Sequence, residues 1–237
     1  NKYGEVFKVG EETGGSAELG IGFLQRPMVG DDRKRVRGVL VCYNDWPFIK
    51  VCIESIYSLV DEIVCVDGKY IDFPIGPEYS DDGTVEYLES IDKVTVIRAA
   101  GLQEVEKRNV YLEGLKEGDW FLHLDADEEW VGSLEIPDAD MGIVRLRRSQ
   151  PQHNMNRIRL MRYVEGLHYD KKHYWLFDSQ DRTFCLLDKP GDNYRAWHMK
   201  ENLILHHGYE RDQNRTWAKK NYYKVLSKRE GPIREYK

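Results

Sequence analysis

No run of the roughly 20 apolar residues needed for a membrane span occurs in this 237-residue chain, and no secretory leader pattern is visible. The chain begins at Asn1 rather than at a methionine, so its natural start stays open. Its four cysteines, Cys42, Cys52, Cys65 and Cys185, form no C-x-x-C pair, so neither a zinc ribbon nor a thiol-redox motif is indicated. Cys42 and Cys65 sit inside apolar runs and read as buried thiols, for which a reducing, cytoplasmic setting is expected. Positive charge is not in excess. Lys and Arg number 35 against 41 Asp and Glu, and a net charge of −6 argues against a nucleic-acid binder. A small anionic ligand is still compatible, because a metal can balance its charge locally. Internal repeats, low-complexity tracts and strong linkers are missing too.

What is present is an alternation of strands and helices. Residues 1–36 are rich in Gly and charge and read as an N-terminal extension with a short hairpin. From Val36 to Tyr43 the chain is almost continuously apolar, as in a strand buried on both faces. Asn44-Asp45 then offers a cap and Pro47 suits a first helical turn. A second strand is expected over Glu62–Val66, ending at Asp67-Gly68. A loop rich in Gly, Pro and aromatics follows over 68–80. Helix, strand and helix are predicted over Asp81–Ile91, Val94–Ile97 and Gln103–Lys116, the last ended by Gly118. Trp120–Leu124 is another buried strand. Short βα alternation of this kind predicts an α/β domain with a mostly parallel central sheet flanked by helices. Beyond Pro137 the pattern turns to shorter, mixed strands: Met141–Arg147, Arg157–Tyr163, Tyr174–Phe177, Arg182–Leu187 and Leu203–His206. An amphipathic helix over Asn214–Lys228 closes the chain. One domain is expected over 37–237, with halves at 37–130 and 131–237.

In sheets of this type ligands collect at the carboxyl ends of the strands, and Asp67 and Asp125 both stand at such ends. The segment Trp120–Trp130, WFLHLDADEEW, delivers Asp125-Ala126-Asp127 to the sheet edge. Two carboxylates one residue apart there can turn toward one point. Mg²⁺ or Mn²⁺ takes oxygen ligands and accepts substrate phosphates into its shell, and it neutralises charge on a departing diphosphate. A chain this rich in Asp holds roughly one or two D-x-D triplets by chance. Asp138-Ala139-Asp140 is a second one, but no buried strand precedes it, and it reads as a solvated turn. Glu128 and Glu129 read either as supporting groups or as exposed ones.

Together these residues resemble glycosyltransferase family 2, of the GT-A (Rossmann-like) fold, over about residues 37–216. The opening strand Gly38–Tyr43 with Asn44-Asp45, then VDEIVCVDG (60–68), SDDGTVEYL (80–88), EKRNVYLEGLKEGDWFLHLDADE (106–128) and LILHHGYERD (203–212) stand in the family's order. The resemblance implies transfer of a sugar from a nucleotide diphosphate sugar to a saccharide or other hydroxyl acceptor. UDP-sugar is the default donor and GDP-sugar the next, with Mn²⁺ or Mg²⁺ as cofactor. It implies that Val41, Tyr43 and Asn44 line the nucleotide pocket and that Asp67 bonds the base. Arg108 would reach the diphosphate or sugar, while Lys107 belongs on a solvated helix face. Asp125 would lie near the ribose or sugar and share the metal, Asp127 would be its main ligand, and His206 a third. With no apolar span, the acceptor is expected to be soluble or to be reached by peripheral membrane contact.

The chain departs from the family in three places. Asn44-Asp45 stands where many members have Asn-Glu. About ten extra residues lie between Gly68 and Ser80, beside the expected base pocket, where they would shape donor choice or cover the site. The Glu of a common His-Glu pair is missing near His173-Tyr174. An inverting transfer needs a carboxylate within reach of the acceptor hydroxyl. Asp170 is the preferred candidate, ahead of Asp178 and Glu165, and retention of configuration stays open. The stretch Arg145–Arg162, with Tyr163, His168, Tyr169, Tyr174 and Trp175, fits an acceptor groove, although most of its arginines read more simply as solvated. Three other readings compete. A sugar-nucleotide pyrophosphorylase would want a Gly-rich basic loop where this chain has CYNDWPF. A haloacid dehalogenase-type phosphatase places its D-x-D after an early strand, not in mid-chain. A catalytically dead binding module would not need the Asp125/Asp127 pair.

Overall fold

The computed structural model describes residues 34–148, 155–170, 175–208 and 213–230. The extension expected over 1–36 lies outside them apart from 34–36, as does the pair His173-Tyr174. The chain divides between Arg33 and Lys34, and every described element belongs to the second unit.

Strand β1 (Val36–Cys42) is buried along its whole length. It lies between β2 (Glu62–Asp67) and β4 (Trp120–His123), parallel to both, and β3 (Val94–Arg98) runs parallel outside β2. Helices α1 (Phe48–Ile56), α2 (Thr84–Glu89) and α3 (Glu104–Leu112) make the crossovers. Side chains alternate across a strand, so β1 feeds two cores. Leu40 and Cys42 pack with Ile49, Cys52, Ile53 and Ile56 of α1. Val39 and Val41 pack with Tyr111 and Leu112 of α3 on the other face. Burying each large aliphatic chain there contributes about 1.5–3 kcal/mol.

Helix α2 is shorter than expected at both ends, starting at Thr84 and stopping at Glu89, and two further helix termini also differ. Asp45 does not cap α1; its carboxylate turns back to accept the Tyr43 N–H at 2.8 Å, and Pro47 occupies the cap position. Helix α3 starts with a capping box of Gln103 and Glu106 but stops at Leu112, well before Gly118. The chain leaves the helix at Glu113 and turns through Gly114 at a left-handed φ of 76°, and the buried guanidinium of Arg37 satisfies the end. It donates to the carbonyls of Tyr111 (3.2 Å) and Glu113 (2.7 Å), which satisfies the helix's C-terminal acceptors.

The second half extends the same sheet with β5 (Glu128–Val131), β6 (Met141–Arg148), β7 (Met155–Arg162) and β12 (Ala196–His206), in the order β3-β2-β1-β4-β7-β6-β12-β5. Strand β7 is antiparallel to β4 and β6, β12 is parallel to β6, and β5 is antiparallel to β12. The result is the α/β class with a large, mostly parallel sheet and mixed strands in its second half, as the sequence predicts. A small sheet holds β8 (His168–Tyr169), β9 (Leu176–Phe177), β10 (Thr183–Leu186) and β11 (Lys189–Pro190). Strand β12 is longer than expected. Its pairing with β6 slips between His198 and Leu203, so Met199–Asn202 bulge out and the charged Lys200-Glu201 interrupts the apolar pattern. The last helix, α4, spans Gln213–Glu230.

Candidate active site

The residues after β4 form a tight turn. The Leu124 N–H still donates to Val39 of β1 at 3.2 Å, and the Glu128 N–H closes the turn on the Asp125 carbonyl at 2.9 Å. The Asp127 carbonyl accepts the His207 N–H at 2.8 Å, which ties the turn to the end of β12. Because His206 pairs with Glu128 across β12 and β5, its ring is brought back over the acidic triplet. His206 Nε2 lies 3.9 Å from Asp127 Oδ1. Burial lowers the pKa of His206 against the pull of Asp127 and Asp125, which favours the neutral ring. Its Nδ1 accepts the Gly208 N–H at 3.1 Å.

Asp125 has two cationic neighbours. Arg108 of α3 donates to its Oδ1 at 3.2 Å, and Arg159 of β7 to its Oδ2 at 3.4 Å. Burial works against the charge, but Arg159, a hydrogen bond with His123 and Arg108 hold the carboxyl well below the usual carboxylate range. Each arginine has a second acid: Arg108 binds Glu104 at 2.9 Å and Arg159 binds Glu128 at 2.5 Å. Glu104, Arg108, Asp125, Arg159 and Glu128 therefore form one chain of alternating sign through the floor of the site. Glu128 is buried, and that burial raises its pKa. Glu129 instead accepts from His207 at 3.0 Å.

The cleft above this floor opens at the carboxyl ends of β1 and β4. It encloses about 100 Å³, and Val41, Tyr43, Arg108, Asp125 and Asp127 line it, as do Asp45, Tyr70, Phe73, Ala126 and Glu104. Lys219, Tyr222 and Tyr223 of α4 complete its wall. His206 stands beside Asp127, off the lining. Asn44 also lies off it. That residue takes a left-handed φ of 49°, and its amide exchanges hydrogen bonds with Asp81 at 3.0 and 2.9 Å. Asp67 is fully buried behind the cleft. Ser80 Oγ donates to it at 2.5 Å, and Arg98 lies 3.4 Å away. Ser80 Oγ also accepts the Asn44 N–H at 2.7 Å, so Asp67, Ser80 and Asn44 form a relay along the rim. Asp170 is exposed after β8 and does not line the cleft.

Lys107 corrects an expectation. It is not on a solvated helix face but fully buried, with Nζ donating to the Gly68 carbonyl and lying 4.7 Å from the Tyr70 ring centroid. Burial pushes its pKa down to about 8. Arg159, too, is buried rather than solvated. The α4 residues and Glu104 escaped the sequence reading. Only the loop aromatics Tyr70 and Phe73 carried a signal, the unusual aromatic content of residues 68–80.

No protein-family model and no curated protein matches the chain. Solved structures similar to it include residues 1–349 of TarS from S. aureus, at 17% identity and a TM-score of 0.37, over 48% of this chain and 36% of that one. Another is the mannosyltransferase PcManGT from Pyrobaculum calidifontis, solved in complex with GDP-Man and Mn²⁺. It has 22% identity and a TM-score of 0.37, over 48% of this chain and 36% of that one. This chain thus matches about a third of either structure.

Proposed function

We propose that this protein is a glycosyltransferase that moves a sugar from a nucleoside diphosphate sugar, UDP-linked by default and GDP-linked next, to an acceptor hydroxyl. One observation carries the reading. The Asp125-Ala126-Asp127 turn at the carboxyl end of β4 shares a cleft with the end of β1, and His206 comes back from β12 to face Asp127.

The two acids of the triplet take different parts. Asp125 already has its charge balanced by Arg108 and Arg159, so it suits hydrogen bonding to hydroxyls of the donor ribose or sugar. Asp127 and His206 would hold Mn²⁺ or Mg²⁺. Among the described residues no group of three or more His, Cys, Asp or Glu side chains is disposed to hold an ion. One hard oxygen and one neutral imidazole nitrogen would fit an ion that keeps positions for water and phosphate oxygens, once the His206 ring gives up the Gly208 N–H and so frees a lone pair. Such an ion supplies positive charge against the departing diphosphate. Val41 and Tyr43 wall the nucleotide, and Asp67, through Ser80, holds the backbone of Asn44 at the end of β1 next to that wall. Arg108 fixes Asp125 and bounds the cleft on the side of α3. Asp170 is proposed as the base for the acceptor hydroxyl, which requires the acceptor to bridge from the cleft toward the small sheet. Catalysis then rests on positioning and on charges set in advance.

Thermal unfolding with UDP and GDP, with and without Mn²⁺, on wild type and Asp127→Ala tests this. A ligand at ~100 times its Kd adds about 2.7 kcal/mol of stability. Metal-dependent stabilisation by one diphosphate, lost in Asp127→Ala, is the expected result. No response to any nucleoside diphosphate under any metal, in wild type and in a variant with a widened cleft alike, would remove the proposal.

A further inference from the structure

The outer side of the cleft is crowded with aromatic rings. Tyr70 and Phe73 come from the loop between β2 and α2, and Tyr222 and Tyr223 from α4. Tyr70 and Tyr222 are stacked, with centroids 5.3 Å apart and planes inclined by 19°. Phe73 leans on Tyr222 at 5.9 Å and meets Tyr43 edge-on at 5.6 Å. The space left over is about 100 Å³, against the ~300–1,000 Å³ typical of small-molecule sites. The stacked rings thus occupy room that a nucleoside diphosphate sugar would use.

The two stacked tyrosines stand on different elements. Tyr70 belongs to a well-fastened loop. The Lys69 carbonyl accepts the Gly101 N–H at 2.9 Å, and the Ile71 N–H donates to Leu102 at 3.1 Å. Lys107 lies against the Tyr70 ring from within the domain. Gly68, at φ +134°, presses so closely on Ala100 that a Cβ there would fall 2.8 Å from the Ala100 nitrogen. Helix α4 lies against the cleft from outside the sheet and reaches it with the rings of Tyr222 and Tyr223. Of its described side chains Ala218 and Tyr222 are the buried ones, whereas Trp217 is 59% and Val225 41% exposed. One polar tie is long, Tyr223 Oη to Glu104 at 3.3 Å.

We propose that the face of Tyr70 now covered by Tyr222 is the stacking platform for the donor's base, so that α4 must withdraw Tyr222 before the nucleoside diphosphate binds. The inference rests on the donor reading above. Exchanging one aromatic partner of Tyr70 for another keeps the kind of contact the same. The affinity for donor is then set by a competition between base and Tyr222 for one ring.

Calorimetric titration of the full chain with UDP and GDP in Mn²⁺ tests the competition, using wild type, Tyr222→Ala, Tyr222→Phe and Tyr70→Ala. Removing the competitor in Tyr222→Ala should tighten diphosphate binding about tenfold, and removing the platform in Tyr70→Ala should weaken it about tenfold. Tyr222→Phe keeps the stack and should match wild type. Binding by Tyr222→Ala where wild type shows none supports the proposal in its strongest form. A wild type that binds, with Tyr222→Ala equal to it or weaker, overturns the proposal and leaves the donor reading standing. Absence of binding by wild type and Tyr222→Ala alike overturns both. If Tyr222→Ala does not fold, Tyr222→Leu keeps the bulk, removes the ring and carries the same comparison.

Discussion

Nε2 of His206 lies 3.9 Å from Oδ1 of Asp127, and the Cα of Gly208 is wedged beside both. A methyl group on Gly208 would fall 2.5 Å from Asp127 Oδ2 and closer still to His206 Cε1. Gly208→Ala must therefore push the imidazole and the carboxylate apart. Mn²⁺-dependent stabilisation by a nucleoside diphosphate should fall at least tenfold in affinity, while the unliganded protein loses no more than the ~1–3 kcal/mol of a local overpacking. Thermal unfolding with and without Mn²⁺ separates the two effects.

Arg159 neutralises two acids at once, Asp125 at 3.4 Å and the buried Glu128 at 2.5 Å. Arg159→Met keeps much of the side chain's length but leaves those carboxylates without their shared cation. A loss of about 3–5 kcal/mol in denaturant unfolding at pH 7 is expected, as for a broken buried pair. Arg162→Met, on a half-exposed arginine of the same strand, should cost far less.

The Lys107 ammonium is lowered from an ordinary 10.5 to about 8, mainly by burial. Between pH 8 and 10.5 the unfolded chain holds a proton on this residue that the folded chain has released, so this group's contribution raises stability with pH in that window. The same contribution is lost as pH falls through 8. The shift corresponds to ~3 kcal/mol. Lys107→Met should flatten the pH dependence between pH 8 and 10.5 relative to wild type, measured by urea unfolding. An unchanged slope would mean that Lys107 titrates normally.

Ser80 Oγ donates to Asp67 at 2.5 Å and accepts from the Asn44 N–H at 2.7 Å. Ser80→Ala removes both bonds and leaves a fully buried carboxyl short of a donor. The expected loss is about 1–3 kcal/mol of stability, together with weaker nucleoside diphosphate binding as the end of β1 loosens. Ser80→Thr, which keeps the hydroxyl, should restore most of both.

The first half of the fold was legible because its strands are buried on both faces and its helices carry plain apolar stripes. VRGVLVC and WFLH admit little but strands. The second half was harder for identifiable reasons. Strand β5 hides in EEWV, whose acids read as part of the motif rather than as a strand. The bulge at Met199–Asn202 conceals the outer end of β12. At the site, the triplet's position was readable, since a strand must end where its apolar run ends. The burial of Lys107 and Arg159 was not, because a cation's partners come from distant elements: Gly68 lies on another loop, and Asp125 and Glu128 follow another strand. The tyrosines of α4 were invisible for the same reason.

The bulge in β12 has a further consequence. Pairing with β6 resumes at Leu203 opposite Arg145 and runs through His206 opposite Arg148, although four residues on β12 face one on β6 in between. The strand thus contains an expansion joint. A change of length at the exposed Lys200-Glu201 would be taken up in mid-strand, between two paired stretches, and would leave His206 beside Asp127, so the two ends of β12 are free to be adjusted separately.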